Sequence, residues 1–91
     1  MNKEEMQETL DRTVAKLEVD AGHSSRPAWL HQYYSTEWEF GGPIIEREKM
    51  KLWYDHKLGW TAQTLLDKGQ GATPLIAAMR CYVASKQREA V

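Results

Sequence analysis

The stretch TPLIAAMRCYVASK, residues 73–86, decides how this chain is read, because it carries a complete helix signature. Thr73 is an N-cap residue, and Pro74 falls at the first helical position, where its missing N–H costs nothing. At 100° per residue, Leu75, Ile76, Met79, Tyr82 and Val83 share a wide apolar face that must be buried. The flanks hold Ala77, Ala78, Cys81 and Ala84, all small, so a second element can approach the back of this helix closely. The rest of the chain is organised around it.

Working back from Thr73, residues 67–72 read as a polar loop that delivers the chain to the cap. Before that loop, WTAQTLL (60–66) and MKLWY (50–54) read as two strands joined by a hairpin loop over 55–59. Pairing Tyr54 with Trp60 sends Met50, Leu52, Tyr54, Ala62 and Thr64 to the core face. Trp53, Thr61 and Gln63 then face outward, which leaves the Trp53 ring exposed. Two strands alone are not stable in water, so helices must cover one face and something must complete or protect the other, a hint of self-association.

Further back, Ser35 is a credible N-cap, and Glu37 and Glu39 suit a first helical turn. Gly41, Gly42 and Pro43 interrupt the pattern, so the expected element is a short helix over 43–49. Residues 29–40 hold Trp29, Tyr33, Tyr34, Trp38 and Phe40, five of the chain's nine aromatic residues. These rings either cap a thin core or form a partner surface. At the start, Asn2 with Glu5 resembles a capping box, and Met6, Leu10, Val14 and Leu17 predict a helix over 3–19 that ends at Gly22. Its apolar stripe is narrow, and its charged remainder reads as solvated. The fold class is therefore a single α+β domain over 1–91. Its order is helix, helix, strand, strand, helix, with a β-hairpin packed against helices.

A length of 91 residues suits one core, and a formal net charge of −1 gives no basic field to hold nucleic acid. One cysteine excludes an intrachain disulfide and a thiolate metal site, and fits a reducing compartment. No run reaches the ~18 apolar residues of a membrane span, and MNKEEMQETL has no apolar signal core, so the chain is expected to need no processing.

No grouping of residues points to catalysis. His23, His31 and His56 lack metal-ligand spacing, the serines lack a nucleophile-elbow context, and Cys81 has no histidine nearby in sequence. Glu46, Arg47, Glu48 and Lys49 form a charge run that reads as a solvated helix face. Gly69 and Gly71 lead into the helix capped by Thr73, and these three are the weak candidates for a phosphate cradle. No catalytic residue, metal or cofactor is expected.

Three motifs then coincide in order: LDRTVAKLEV (10–19), YSTEWEFGGPIIERE (34–48) and TPLIAAMRCYVASK (73–86), with WTA (60–62) between the last two. Together they resemble the family of small phage and prophage proteins related to NinX, a family of unknown function. The chain also looks distantly like phage domains described as α-β-α sandwiches. The resemblance implies a phage or prophage origin and action in the cytoplasm of a bacterial host. It supplies no catalytic residue.

The leading expectation is a non-enzymatic accessory protein that binds and inhibits a host protein, a defence-system component being the most plausible target. Its partner surface would centre on Trp53, with Lys51 and Gln63 at the rim and Trp29 and Tyr33 contributing, and a homo-oligomer is possible. The alternative is a small-ligand binder or sponge, for instance for a nucleotide signal, with the Gly69, Gly71 and Thr73 helix entrance as cradle. Neither membrane nor nucleic acid is expected as a partner.

Overall fold

In the computed structural model, which describes residues 3–22 and 33–89, the 73–86 signature opens α3 (Pro74–Glu89), the central element of the fold. The Thr73 hydroxyl accepts the Ile76 N–H at 3.2 Å, and the Thr73 carbonyl accepts the Ala77 N–H at 3.1 Å. Leu75, Ile76, Ala77, Ala78, Met79, Cys81, Tyr82 and Ser85 are all buried. Such a helix is apolar nearly all round and needs cover on both sides. The sheet supplies one side, and α1 (Lys3–Asp20) with α2 (Trp38–Glu48) supplies the other. Among the described elements the layers therefore run sheet, α3, then α1 with α2. The helices lie on one face of the sheet, so the α-β-α order that the resemblance suggested is not the order observed.

The sheet is an antiparallel meander of three strands, β1 (Lys51–Asp55), β2 (Gly59–Gln63) and β3 (Lys68–Gly71). The hairpin register is the one the alternation requires, with Tyr54 opposite Trp60 and Leu52 opposite Ala62. Asp55 closes the turn by accepting the N–H groups of Lys57 and Leu58 on Oδ1, at 2.7 and 3.0 Å. The third strand replaces the polar loop expected over 67–72. Its sequence, KGQG, shows no apolar alternation, because its inward positions are filled by the neighbouring backbone. A Cβ on Gly69 would run into the Ala77 carbonyl and the Cys81 N–H, so α3 lies directly on this strand through its small-residue flank. The second strand also ends sooner than expected. Thr64 turns away and its N–H donates to the Asp67 carbonyl at 2.9 Å, while its hydroxyl accepts the Asp67 N–H at 3.2 Å.

Helix α1 covers the expected span, and Gly22 follows it with a φ of +79°. The proposed cap at Asn2 lies outside the described residues. Its buried face is broader than the apolar stripe, because Asp11 and Glu18 are buried beside Val14 and Ala15. Helix α2 begins well before residue 43, with Glu37 at the N-cap making no side-chain capping bond and Pro43 inside the helix. Ser35 is not its cap: its N–H donates to Asp11 Oδ1 at 2.8 Å, tying the approach to α2 onto α1. Gly41 does not break the helix, because it lets the first turn pass under the Tyr34 carbonyl and against Leu75. The helix stops at Lys49, whose φ of 54° and ψ of 48° place it in the left-handed region, with its N–H turned back to the Glu46 carbonyl.

Candidate interaction surface

The register brings three of the expected partner residues together. Lys51 lies opposite Gln63, and Trp53 lies opposite Thr61, on the sheet face turned away from α3. Lys68 and Gln70 of β3 extend the same face. Trp53 itself is half-buried, and its ring lies 6.0 Å from the Lys68 ammonium, a cation–π distance. The exposed ring of the hairpin is instead Tyr54, which is 58% exposed although its row faces α3. It stands at the sheet edge, edge-on to Trp60 and His56. Tyr33 is exposed in the turn before α2. Trp29 lies outside the described residues.

An apolar pair absent from the expected surface stands out more. Leu65 and Leu66, which the alternation placed at the end of a strand, occupy the turn between β2 and β3 and are 93% and 68% exposed. Turns favour Gly, Asn, Asp, Ser and Pro for conformational reasons, and none of those reasons applies to two leucines. The turn is nevertheless held firmly. Asp67 receives Arg88 through two nitrogens, with Nε 3.1 Å from Oδ1 and Nη2 3.0 Å from Oδ2. The tip stands beside a cleft of about 200 Å³ lined with Glu48, Asp67, Arg88 and Glu89, so an apolar knob carries a charged rim.

A second cleft, of about 240 Å³, opens where α2 and α3 begin, between Ser35, Trp38 and the Thr73–Pro74 turn. Ser35 is buried and its hydroxyl has no hydrogen-bond partner. Thr73 therefore does face a cavity, although its hydroxyl already serves Ile76. Gly69 and Gly71 do not line that cavity, and they form no phosphate loop: both are strand residues pressed against α3.

The charge run at 46–49 also differs from its sequence reading. Arg47 turns inward to the buried Glu18, with Nη2 at 2.6 Å from Oε1 and Nη1 at 3.2 Å from Oε2. Its Nε reaches Glu48 at 3.2 Å, and its guanidinium lies 5.6 Å from the centre of the Tyr82 ring. Desolvation opposes the Arg47 charge, but Glu18 and Glu48 outweigh it and hold the guanidinium above its ordinary value. Burial, then the charge of Glu18, pushes the Tyr82 phenol upward. This cluster fastens α1 and α2 to α3: Arg47 is paired with Glu18 and Glu48, while the Tyr82 hydroxyl beside them is buried without a hydrogen-bond partner. Cys81 is fully buried, and its thiol donates to the Asp67 carbonyl at 3.5 Å, so it behaves as a small core residue. Among the described residues no group of His, Cys, Asp and Glu could hold a metal ion.

Fold and surface thus define a small α+β protein whose charged clusters serve packing and whose most exposed apolar pair, Leu65 and Leu66, sits on a firmly held turn. The chain belongs to the bacteriophage P22 NinX family, whose model matches residues 3–86. No curated protein and no solved structure matches it. Among the described residues no helix is long and apolar enough to cross a membrane.

Proposed function

We propose that this phage protein acts without catalysis, in the cytoplasm of the bacterial host, by docking on a host protein and blocking it. A component of a host defence system is the target class that suits a phage accessory protein of this size. The reading is carried by the Leu65–Leu66 tip. Two adjacent leucines in water contribute nothing to folding, whereas an apolar pair presented on a firmly held turn loses little conformational freedom on binding. The charged rim around the tip has the anatomy of a small interface, apolar at its centre and polar outside. In the test, the chain and its Leu65→Ser/Leu66→Ser variant are each used to capture host protein from lysate, and the captured protein is then titrated against both. The double variant should keep its unfolding midpoint and lose about 2 kcal/mol or more of binding free energy. Equal binding by both chains would remove the tip from the interface.

A second reading is favoured by one observation, the cleft lined by Ser35, Trp38 and Thr73 where α2 and α3 begin. It suits a small planar ligand stacked on Trp38, such as a nucleotide signal held as a sponge would hold it. A nucleotide panel screened by thermal unfolding tests this, since a ligand at 100 times its Kd adds about 2.7 kcal/mol. A panel without a shift at saturating concentrations would leave the docking reading alone.

A further inference from the structure

The two edges of the sheet differ in how they are protected. On β3 the Gln70 carbonyl is occupied by Arg80 Nη1 at 2.8 Å, and α3 lies against Gly69 and Gly71. On the other side β1 has, among the described residues, β2 as its one strand neighbour. Its blunting devices are its shortness and a charge at either end, Lys51 and Asp55. It has no proline and no bulge, and its five residues pair with β2 without a break. Such an edge is a template for another strand.

The sequence of this edge, KLWYD, complements itself when run antiparallel. A two-fold axis at Trp53 sets Lys51 of one copy against Asp55 of the other at both ends of the strand. It also sets Leu52 against Tyr54 twice and Trp53 against Trp53. Opposite charges, aromatic pairs and aromatic–aliphatic pairs are the cross-strand partners that stabilise an antiparallel ladder. We propose that β1 pairs with β1 of a second copy of this chain, antiparallel and centred on Trp53, to form one six-stranded sheet across a two-fold axis.

This pairing accounts for two features that the single chain leaves unexplained. Tyr54 is exposed on the α3 side of the sheet, and there it gains Leu52 of the second copy as cover. Trp53, half-buried on the face turned away from α3, gains a second Trp53 beside it. Asp55 uses Oδ1 for its turn, and its second oxygen remains to meet a lysine. The contact is isologous and closes as a dimer, so it does not propagate into fibres. It is independent of the host-docking reading, because Leu65 and Leu66 take no part in it.

Sedimentation of the full chain over a range of concentrations, together with cysteine cross-linking, tests the proposal. Cys81 is fully buried and stays silent under mild oxidation. In Trp53→Cys the two new thiols face each other across the axis, at the Cα separation of about 4.5–5.5 Å that opposed antiparallel residues have and a disulfide spans. That variant should cross-link to itself rapidly. Tyr54→Cys should not, because residue 54 faces residue 52 of the other copy. Should Trp53→Cys fail to fold, Lys51→Glu carries the test, since Lys51 is exposed and the change sets like charges against each other at both ends. Dimerisation should then weaken about tenfold while the chain still unfolds cooperatively. The Leu65→Ser/Leu66→Ser chain should dimerise as the parent does. A parent chain that stays monomeric, a dimer indifferent to Lys51→Glu, or self-cross-linking of Tyr54→Cys equal to that of Trp53→Cys would each overturn the pairing.

Discussion

At the scale of single residues, a buried charge of this protein is held in a pair whose separation is costly. Glu18 is buried on α1, and the Arg47 guanidinium meets it with two nitrogens. Breaking a buried pair by removing one partner typically costs about 3–5 kcal/mol. The Arg47 side chain keeps 29% exposure, so Arg47→Met is expected to cost somewhat less, roughly 2–4 kcal/mol, in chemical denaturation. Glu18→Gln/Arg47→Met should cost less than the single change, because no buried charge is then left alone. Equal losses in the two variants would mean that the pair is not coupled. Cys81 allows a prediction with pH. Burial, the largest influence, raises its thiol above the ordinary value of 9.0. The folded state therefore holds a proton that the unfolded state releases, and stability present below about pH 9 falls as the pH rises toward the folded value. Cys81→Ala should flatten the stability profile just above pH 9, leaving the later loss from Tyr82, whose ordinary value is 10.0. Parallel profiles for the two chains from pH 8 to 10 would argue against a buried thiol.

Among the elements, those with local signals were legible and those shaped by neighbours were not. Thr73 with Pro74, and the spacing of Leu10, Val14 and Leu17, placed α3 and α1 because capping and periodicity act within a few residues. Alternation gave the hairpin register, Tyr54 opposite Trp60. β3 was hidden because Gly69 and Gly71 pair and pack through backbone alone, and no periodicity marks such a strand. In α2 the signals Gly41, Gly42 and Pro43 argued against a helix that tertiary contact with Tyr34 and Leu75 nevertheless supports. Of the surface, the Trp53, Lys51 and Gln63 grouping followed from alternation. The Leu65–Leu66 tip did not, since two leucines at a strand end look like core until the chain is seen to turn at Thr64. Lys49 carries the prediction at this scale. It ends α2 in the left-handed conformation, which costs a residue with a Cβ about 1–2 kcal/mol and glycine almost nothing. Glycine also loses more entropy on folding, so Lys49→Gly is expected to stabilise the chain by a net amount of about 0.5–1 kcal/mol. A destabilised Lys49→Gly chain would show that the lysine side chain makes a contact worth more than the strain.

At the scale of the whole molecule, α3 is, among the described elements, the one helix with extensive packing on both sides. The sheet rests on its small-residue flank at Ala77 and Cys81, while α1 and α2 rest on its other face and do not pack extensively on the sheet. Neither half can keep its apolar face out of water once α3 leaves, so loss of α3 and global unfolding should be the same event. The margin of a chain this short is about 5–10 kcal/mol, which leaves little room for a stable partial structure. The last prediction follows from this arrangement. In native-state hydrogen exchange, the central α3 amides, residues 78–82, should be the slowest in the protein and should exchange with the free energy of global unfolding. Amides of the β1 edge should open with less, since among the described residues that strand has one strand neighbour and α3 barely reaches it. If β1 is paired to a second copy, its amides should gain protection as the protein concentration rises while those of α3 stay at the unfolding limit. Slower exchange in α1 or the hairpin than in α3, or α3 amides that open without global unfolding, would show that the core is organised around another element.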